Sequence, residues 1–169
     1  KSNPTYYEVC SGLTGHTEVV RVIWDKNEID ISDLLKMFWE CHNPTQKNSQ
    51  GNDIGTQYRS AIYYKNEANI EIILASKAQY QKELSKKNFG LIETEIKLID
   101  TYYYAEQYHQ QYLASDGSRQ YCSASPTKVR LGSFCGSNYK LDDFIWESFD
   151  WEVDKCVLRS DNNPIINNL

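Results

Sequence analysis

The sequence predicts a single α+β domain, a mixed or antiparallel sheet packed by helices, and three stretches carry that expectation. Val19 to Trp24 is a mostly apolar, β-branched run behind the turn residue Gly15, which is the pattern of a buried strand. Asn66 to Lys87 sets Ile70, Ile73, Leu74, Ala78 and Leu84 at helical spacing. Thr94 to Asp100 alternates Ile96 and Leu98 with Glu95 and Lys97, as a half-buried strand does. Strands and helices in alternation fit an α/β order as well as an α+β one. The length, 169 residues, suits one domain with a sizeable core, and 40% apolar with 24% charged residues is an ordinary globular composition.

In chain order, Ser2-Asn3-Pro4-Thr5 is turn-like and leads into Tyr6-Tyr7-Glu8-Val9-Cys10, after which Ser11-Gly12 and Thr14-Gly15 signal loops. The Thr17 to Trp24 strand ends at Asp25-Lys26-Asn27. Ser32 is the expected N-cap of a helix from Asp33 to about His42, with Leu34, Leu35, Phe38 and Trp39 on one face, and Asn43-Pro44 ends it. The polar stretch up to Thr56 is a long loop, and loops of that length are commonly functional. Gln57 to Tyr64 returns to strand character. The 66–87 helix loads Lys77, Lys82, Lys86 and Lys87 into its second half, where cations suit the helix dipole, and stops at Asn88 and Gly90. Residues 105–113 read as a short helix. Beyond Ser115, a strand over Val129 to Gly136, a helix through Leu141, Phe144, Ile145 and Phe149, and a strand over Lys155 to Arg159 are expected.

A net charge of -5 with scattered basic residues gives no footprint for nucleic acid, and no apolar run approaches the 18 or so residues a bilayer span needs. Five cysteines (10, 41, 122, 135 and 156) form no C-x-x-C pair and no zinc-ligand spacing, so a structural zinc site is not expected. Cys10 and Cys41 lie beside apolar segments and read as buried structural thiols. No signal peptide is visible; the chain begins at Lys1 rather than Met, so removal or omission of an upstream segment stays open.

Glu18, at the entrance of the first apolar run, is the first candidate for chemistry. Apolar neighbours disfavour the charged form of a carboxyl group and turn it into a proton donor nearer neutral pH; the plainer alternative is a strand-end glutamate with its head in water. Other residues decide between the two. Pro4-Thr5-Tyr6, Glu8-Val9-Cys10-Ser11-Gly12, Gly15-His16-Thr17-Glu18, Phe38-Trp39-Glu40, His42-Asn43-Pro44-Thr45-Gln46, Gly51-Asn52-Asp53, Gly55-Thr56-Gln57-Tyr58-Arg59-Ser60 and Ala105-Glu106 with Tyr108-His109-Gln110-Gln111-Tyr112-Leu113 follow one another in that order. Together they resemble the A-type peptide-methionine sulfoxide reductases, over roughly two-thirds of the chain.

The resemblance implies a ferredoxin-like two-layer sandwich and thiol-dependent reduction of the S epimer of methionine sulfoxide, free or within oxidised proteins. It implies Glu18 as the acid that protonates the sulfoxide oxygen, Tyr6 and Tyr58 as the phenols that hold it, and Asp53 acting through water or by orienting groups. Cys122, in Gln120-Tyr121-Cys122, takes the place of the resolving cysteine, with thioredoxin or dithiothreitol as reductant. A reducing compartment, cytoplasmic or organellar such as mitochondrial, and a monomer acting without nucleic acid or membrane complete the expectation. Residues 1–122 would form the reductase-like domain and 123–169 a C-terminal extension with recycling cysteines.

One departure stands out. The family's nucleophile sits in a Gly-Cys-Phe-Trp-Gly element upstream of Pro-Thr-Tyr, and that element does not occur between Lys1 and Pro4 or elsewhere in the chain. Three readings fit: an N-terminally incomplete or shortened chain, an inactive homologue that binds sulfoxide without turnover, or replacement by the C-terminal segment. In the last, Gly132-Ser133-Phe134-Cys135-Gly136 echoes the missing element, and Cys135 at a helix N-terminus would serve as nucleophile or as a recycling thiol.

Overall fold

The computed structural model describes residues 1–110, 112 and 124–148. Their order is α1 (Tyr6–Cys10), α2 (Ile31–Glu40), β1 (Ser49–Gln50), β2 (Asp53–Ile54), β3 (Ala61–Tyr64), α3 (Ile70–Lys86), β4 (Glu95–Leu98) and α4 (Asp143–Glu147), an α+β arrangement. β1 and β2 form a small antiparallel hairpin, Ser49 opposite Ile54 and Gln50 opposite Asp53. β3 and β4 run parallel, from Ala61 beside Glu95 to Tyr64 beside Leu98, and α3 is the crossover that a parallel pair requires.

α2 starts two residues earlier than Ser32 would dictate. Asp30 is its N-cap: the carboxylate accepts the Ser32 N–H at 2.9 Å while Asp33 accepts the Asp30 N–H at 3.0 Å, so two otherwise unpaired donors are satisfied reciprocally. A 3-10 turn over Glu67–Asn69, capped by Asn66, leads into α3, and Asn88 at φ 62° ends it. The buried stripe of α3 is Ile73, Ser76, Tyr80 and Leu84, rotated from the expected one, with Leu74 49% exposed. Ser76 and Tyr80 are hidden because each is hydrogen-bonded: Trp39 donates Nε1–H to Ser76 Oγ at 2.9 Å, and the Tyr80 hydroxyl donates to the Val129 carbonyl at 3.2 Å.

Leu35 and Trp39 of α2 meet Ile73, Tyr80 and Leu84 of α3, and Ile92, Val129 and Leu131 complete the core, with Ile62, Tyr64 and Ile96 of the β3–β4 sheet packed against it. Burial of side chains of this size contributes about 1.5–3 kcal/mol each. The segment from 129 to 136 is no strand, and no helix follows Cys135 until Asp143. It is held as irregular chain by two buried carboxylates of α2. Glu40 accepts from Lys36 Nζ at 2.9 Å, Arg130 at 2.8 Å and Leu131 N–H at 2.8 Å, while Asp33 accepts the N–H groups of Lys140 and Leu141. The last expected strand, Lys155 to Arg159, lies outside the described residues.

The largest correction concerns Thr17 to Trp24. The run joins no strand among the described residues, and Val20, Val22 and Ile23 are 87%, 51% and 65% exposed. β-branched side chains favour an extended backbone, but a strand also needs a ladder partner, and here the Glu18 N–H to Gln57 carbonyl bond at 2.9 Å is the backbone tie. Similarly, the expected 57–64 strand is a 3-10 turn (Thr56–Tyr58) followed by the shorter β3, and of the expected 105–113 helix the described residues up to 110 hold a 3-10 turn over Gln107–His109, with 111 and 113 outside them. The helix expected through Leu141 to Phe149 is the shorter α4, with Trp146 buried and Phe144 exposed.

Candidate active site

The face of the β3–β4 sheet opposite the core carries Tyr63, Glu95 and Lys97, which line one side of an open groove of about 1260 Å³. Tyr6, Glu18, Asp53, Tyr58, Glu106 and His109 line it too, so four residues picked out by motif, from four separate places in the chain, face one space.

Each is placed by a local device. Tyr6 opens α1; its backbone N–H donates to Glu106 Oε1 at 2.9 Å, and its ring lies on His109 with centroids 4.5 Å apart. Gly15, at φ 77°, makes the turn that delivers Glu18, in a backbone region where a Cβ is strained. Asp53 begins β2, across the hairpin turn whose Gly51 N–H donates to Gln46 Oε1 at 2.8 Å. Tyr58 ends a 3-10 turn closed by its own N–H on the Gly55 carbonyl at 3.0 Å. The long polar loop of residues 45–56 therefore is a short hairpin that presents Asp53.

The electrostatics suit protonated donors. Glu18 opens onto the groove by surface area, yet crowding by the walls removes enough water to push its carboxyl above the usual range; repulsion from Asp53 adds to this, and His109 opposes it. Glu18 takes no side-chain hydrogen bond among the described residues. The neighbouring Cys10 thiol, helped by desolvation and by Tyr58 and Glu18, pushes the Tyr6 phenol up to about 12. Burial, then Glu18 and Asp53, pushes Tyr58 up as well. Glu106 is held low by the Tyr6 N–H. A sulfoxide oxygen is a strong acceptor, and a protonated carboxyl with two phenols on one groove can bind and protonate it.

The cysteines divide. Cys10, expected buried, is exposed, because α1 buries none of its residues. Cys41 is half-buried, and desolvation pushes its thiol up to about 11. Cys135 is exposed in the turn closed by Ser137 N–H on the Phe134 carbonyl, with no helix at its position. None of these three lines the groove, and Cys122 lies outside the described residues. Among the described residues no three His, Cys, Asp or Glu side chains gather as a metal site, and no helix among them is long and apolar enough to cross a membrane.

Three groove residues escaped the sequence reading. Glu106, Arg59 and His109 stand in the sequence only as members of the motifs that carry the resemblance. His109 Nε2 is buried with no hydrogen-bond partner among the described residues, a state that composition and spacing do not reveal.

Comparison with known proteins gives a consistent picture. A family model described as peptide methionine sulfoxide reductase matches residues 1–136. Peptide methionine sulfoxide reductase MsrA of Pseudomonas entomophila (strain L48) is 58% identical over 129 residues, which is 76% of this chain and 58% of that protein. The mitochondrial peptide methionine sulfoxide reductase of Bos taurus is 55% identical over 127 residues, 75% of this chain and 54% of that protein. The chain thus spans little more than half the length of these curated relatives. Among solved structures, methionine sulfoxide reductase A of Corynebacterium diphtheriae superposes with a TM-score of 0.62 at 36% identity, covering 74% of this chain and 66% of that one. Reduced Mxr1 from Saccharomyces cerevisiae gives 0.62 at 34% identity, covering 72% and 66%.

Proposed function

The chain belongs to the peptide methionine sulfoxide reductase family, and from that membership we propose that it serves thiol-dependent reduction of methionine S-sulfoxide, free or protein-bound, to methionine. The observation that carries the reading is the convergence of Tyr6, Glu18, Asp53 and Tyr58 on one groove, with Glu18 and both phenols biased toward their protonated forms. The two phenols hold the sulfoxide oxygen, Glu18 protonates it as the S–O bond weakens, and Asp53 keeps Glu18 basic enough to retain its proton. A thiolate attacks the sulfoxide sulfur; oxygen passes to the thiol, leaving a thioether and a sulfenic acid. A second thiol condenses with the sulfenic acid, water leaves, and a dithiol such as thioredoxin or dithiothreitol reduces the resulting disulfide.

Cys122 is assigned the resolving thiol by its motif, and exposed Cys135 a recycling role, since it does not line the groove. Residues 1–122, ending at Cys122, form the reductase-like domain, and 123–169 the extension that bears Cys135. The parallel β3–α3–β4 unit, with helices on one face of the sheet, supports the two-layer ferredoxin-like sandwich. The reaction needs no bound cofactor and belongs in a reducing compartment. The test is reduction of dabsyl-methionine sulfoxide by the full chain with dithiothreitol. Turnover of the S epimer alone, abolished in Glu18→Gln, is the expected result; a protein that leaves the S epimer untouched, or treats both epimers alike, overturns the proposal.

A further inference from the structure

We infer that Arg59 is a positioning residue of this site: by holding the carbonyls of Gly15, His16 and Thr56 it fixes the Glu18 loop and the Tyr58 turn against each other. The inference rests on the reading of Glu18 and Tyr58 as the groups that handle the sulfoxide oxygen. A guanidinium has five N–H donors in one plane, and all five directions are used. Nε donates to Glu95 Oε2 at 2.7 Å. One terminal nitrogen donates to the Thr56 carbonyl at 2.8 Å and the His16 carbonyl at 3.3 Å, and the other to the Gly15 carbonyl at 3.2 Å and the Tyr63 hydroxyl at 2.9 Å.

The partners explain the role. Gly15 and His16 are the turn immediately before Glu18, and Thr56 opens the turn that ends in Tyr58, so one planar group spans the two pieces of backbone that carry an acid and a phenol. Glu95 and Tyr63 belong to β4 and β3, and Tyr63 in turn meets Thr17 Oγ1 at 2.9 Å, which ties the residue next to Glu18 to the sheet. Residues 17–24 have no ladder partner among the described residues; at the Glu18 end this clamp, the Thr17–Tyr63 contact and the Glu18–Gln57 backbone bond hold the loop, while Arg21 donates to the Tyr104 hydroxyl farther along. Lysine cannot substitute, because three tetrahedral donors on one nitrogen do not reach five acceptors spread over a plane.

The test reads Glu18 itself as well as ligand. Carboxyl chemical shifts of the carbon-13-labelled chain give the Glu18 midpoint, and titration with methionine S-sulfoxide gives affinity, in the parent, Arg59→Lys, Arg59→Ala and Glu95→Gln. The groups facing Glu18 are Asp53, His109, Tyr6 and Tyr58, and Arg59→Lys alters the charge of none of them, nor of the residue replaced. A freed loop rehydrates its carboxyl, so the Glu18 midpoint should fall toward the ordinary carboxylate range in both Arg59 variants, with sulfoxide affinity lowered about tenfold. Glu95→Gln keeps an acceptor for Nε and should leave the midpoint in place. An unmoved midpoint in Arg59→Lys, or an equal shift in Glu95→Gln, overturns the positioning role, and Arg59→Lys decides if Arg59→Ala does not fold. A parent that binds no sulfoxide would instead overturn the functional reading while the Glu18 midpoints still judge the clamp.

Discussion

The two sides of the β3–β4 sheet treat polar groups in opposite ways. On the core side, Glu40 is fully buried and both of its oxygens have donors: Lys36 and the Leu131 N–H on one, Arg130 on the other. His42, 6% exposed, is likewise met at both ring nitrogens, by the Phe38 carbonyl at 2.7 Å and Ser60 Oγ at 2.8 Å. Because a carbonyl only accepts, Nδ1 carries the proton and Ser60 donates to Nε2. On the groove side, Glu18 is far less buried yet has no side-chain donor among the described residues, and His109 Nε2 has none either. Depth of burial therefore does not single out the carboxyl proposed to react; its unmet hydrogen-bonding capacity on the groove does.

The contrast can be broken by removing one acid from each side. Glu18→Gln should lower sulfoxide reduction by about a thousandfold, the range for loss of a general acid, with the unfolding midpoint nearly unchanged; a loss of turnover matched by loss of fold would erase the distinction. Glu40→Ala should do the reverse, costing about 3 kcal/mol in urea unfolding because buried donors lose their acceptor, while sulfoxide affinity at the groove is kept. Equal stability in that variant would mean the segment after Val129 docks by its apolar side chains alone.

Acid sharpens the same comparison. Desolvation lowers His42 from 6.5 to about 4, the Phe38 bond opposing it. The unfolded chain takes up this proton below 6.5 and the folded chain does not, so stability is complete above 6.5 and falls as pH drops toward 4, by about 3 kcal/mol. His42→Gln should flatten that part of the pH–stability curve, and a curve of unchanged slope would refute the assignment. Glu18 has the opposite sign. Its folded pKa is raised, so its contribution is present at low pH and is lost as pH rises through that pKa. Glu18→Gln should be slightly the more stable protein near neutral pH, by well under 1 kcal/mol because the group opens to solvent, with no difference in acid.

The helices were legible because periodicity and caps are local: α2 and α3 lie within a few residues of their expected bounds. The partners of Tyr6, Glu18, Asp53 and Tyr58 were legible only through motif resemblance, since nothing in spacing brings residues so far apart in the chain to one groove. The rest was hidden for identifiable reasons. Ser76 and Tyr80 are polar residues that became core once paired, so hydropathy pointed to Leu74 instead. Thr17 to Trp24 has strand composition without a ladder partner among the described residues. Arg59 acts on backbone carbonyls, which have the same chemistry whatever the side chain, so no pattern of residue types announces it.

Cys41 gives the helix layer a built-in clock. Its thiol donates to the Phe38 carbonyl at 3.4 Å at the end of α2 and stays protonated to about 11, so a thiol reagent at neutral pH finds almost no thiolate while the layer is closed. Reaction at half-buried Cys41 is therefore slow in the closed layer and speeds up on local opening, whereas Cys10 and Cys135 are exposed already. The lag between fast and slow labelling in one sample then measures how often the α2 end lifts from the domain, in a protein proposed to work where oxidants threaten every accessible sulfur.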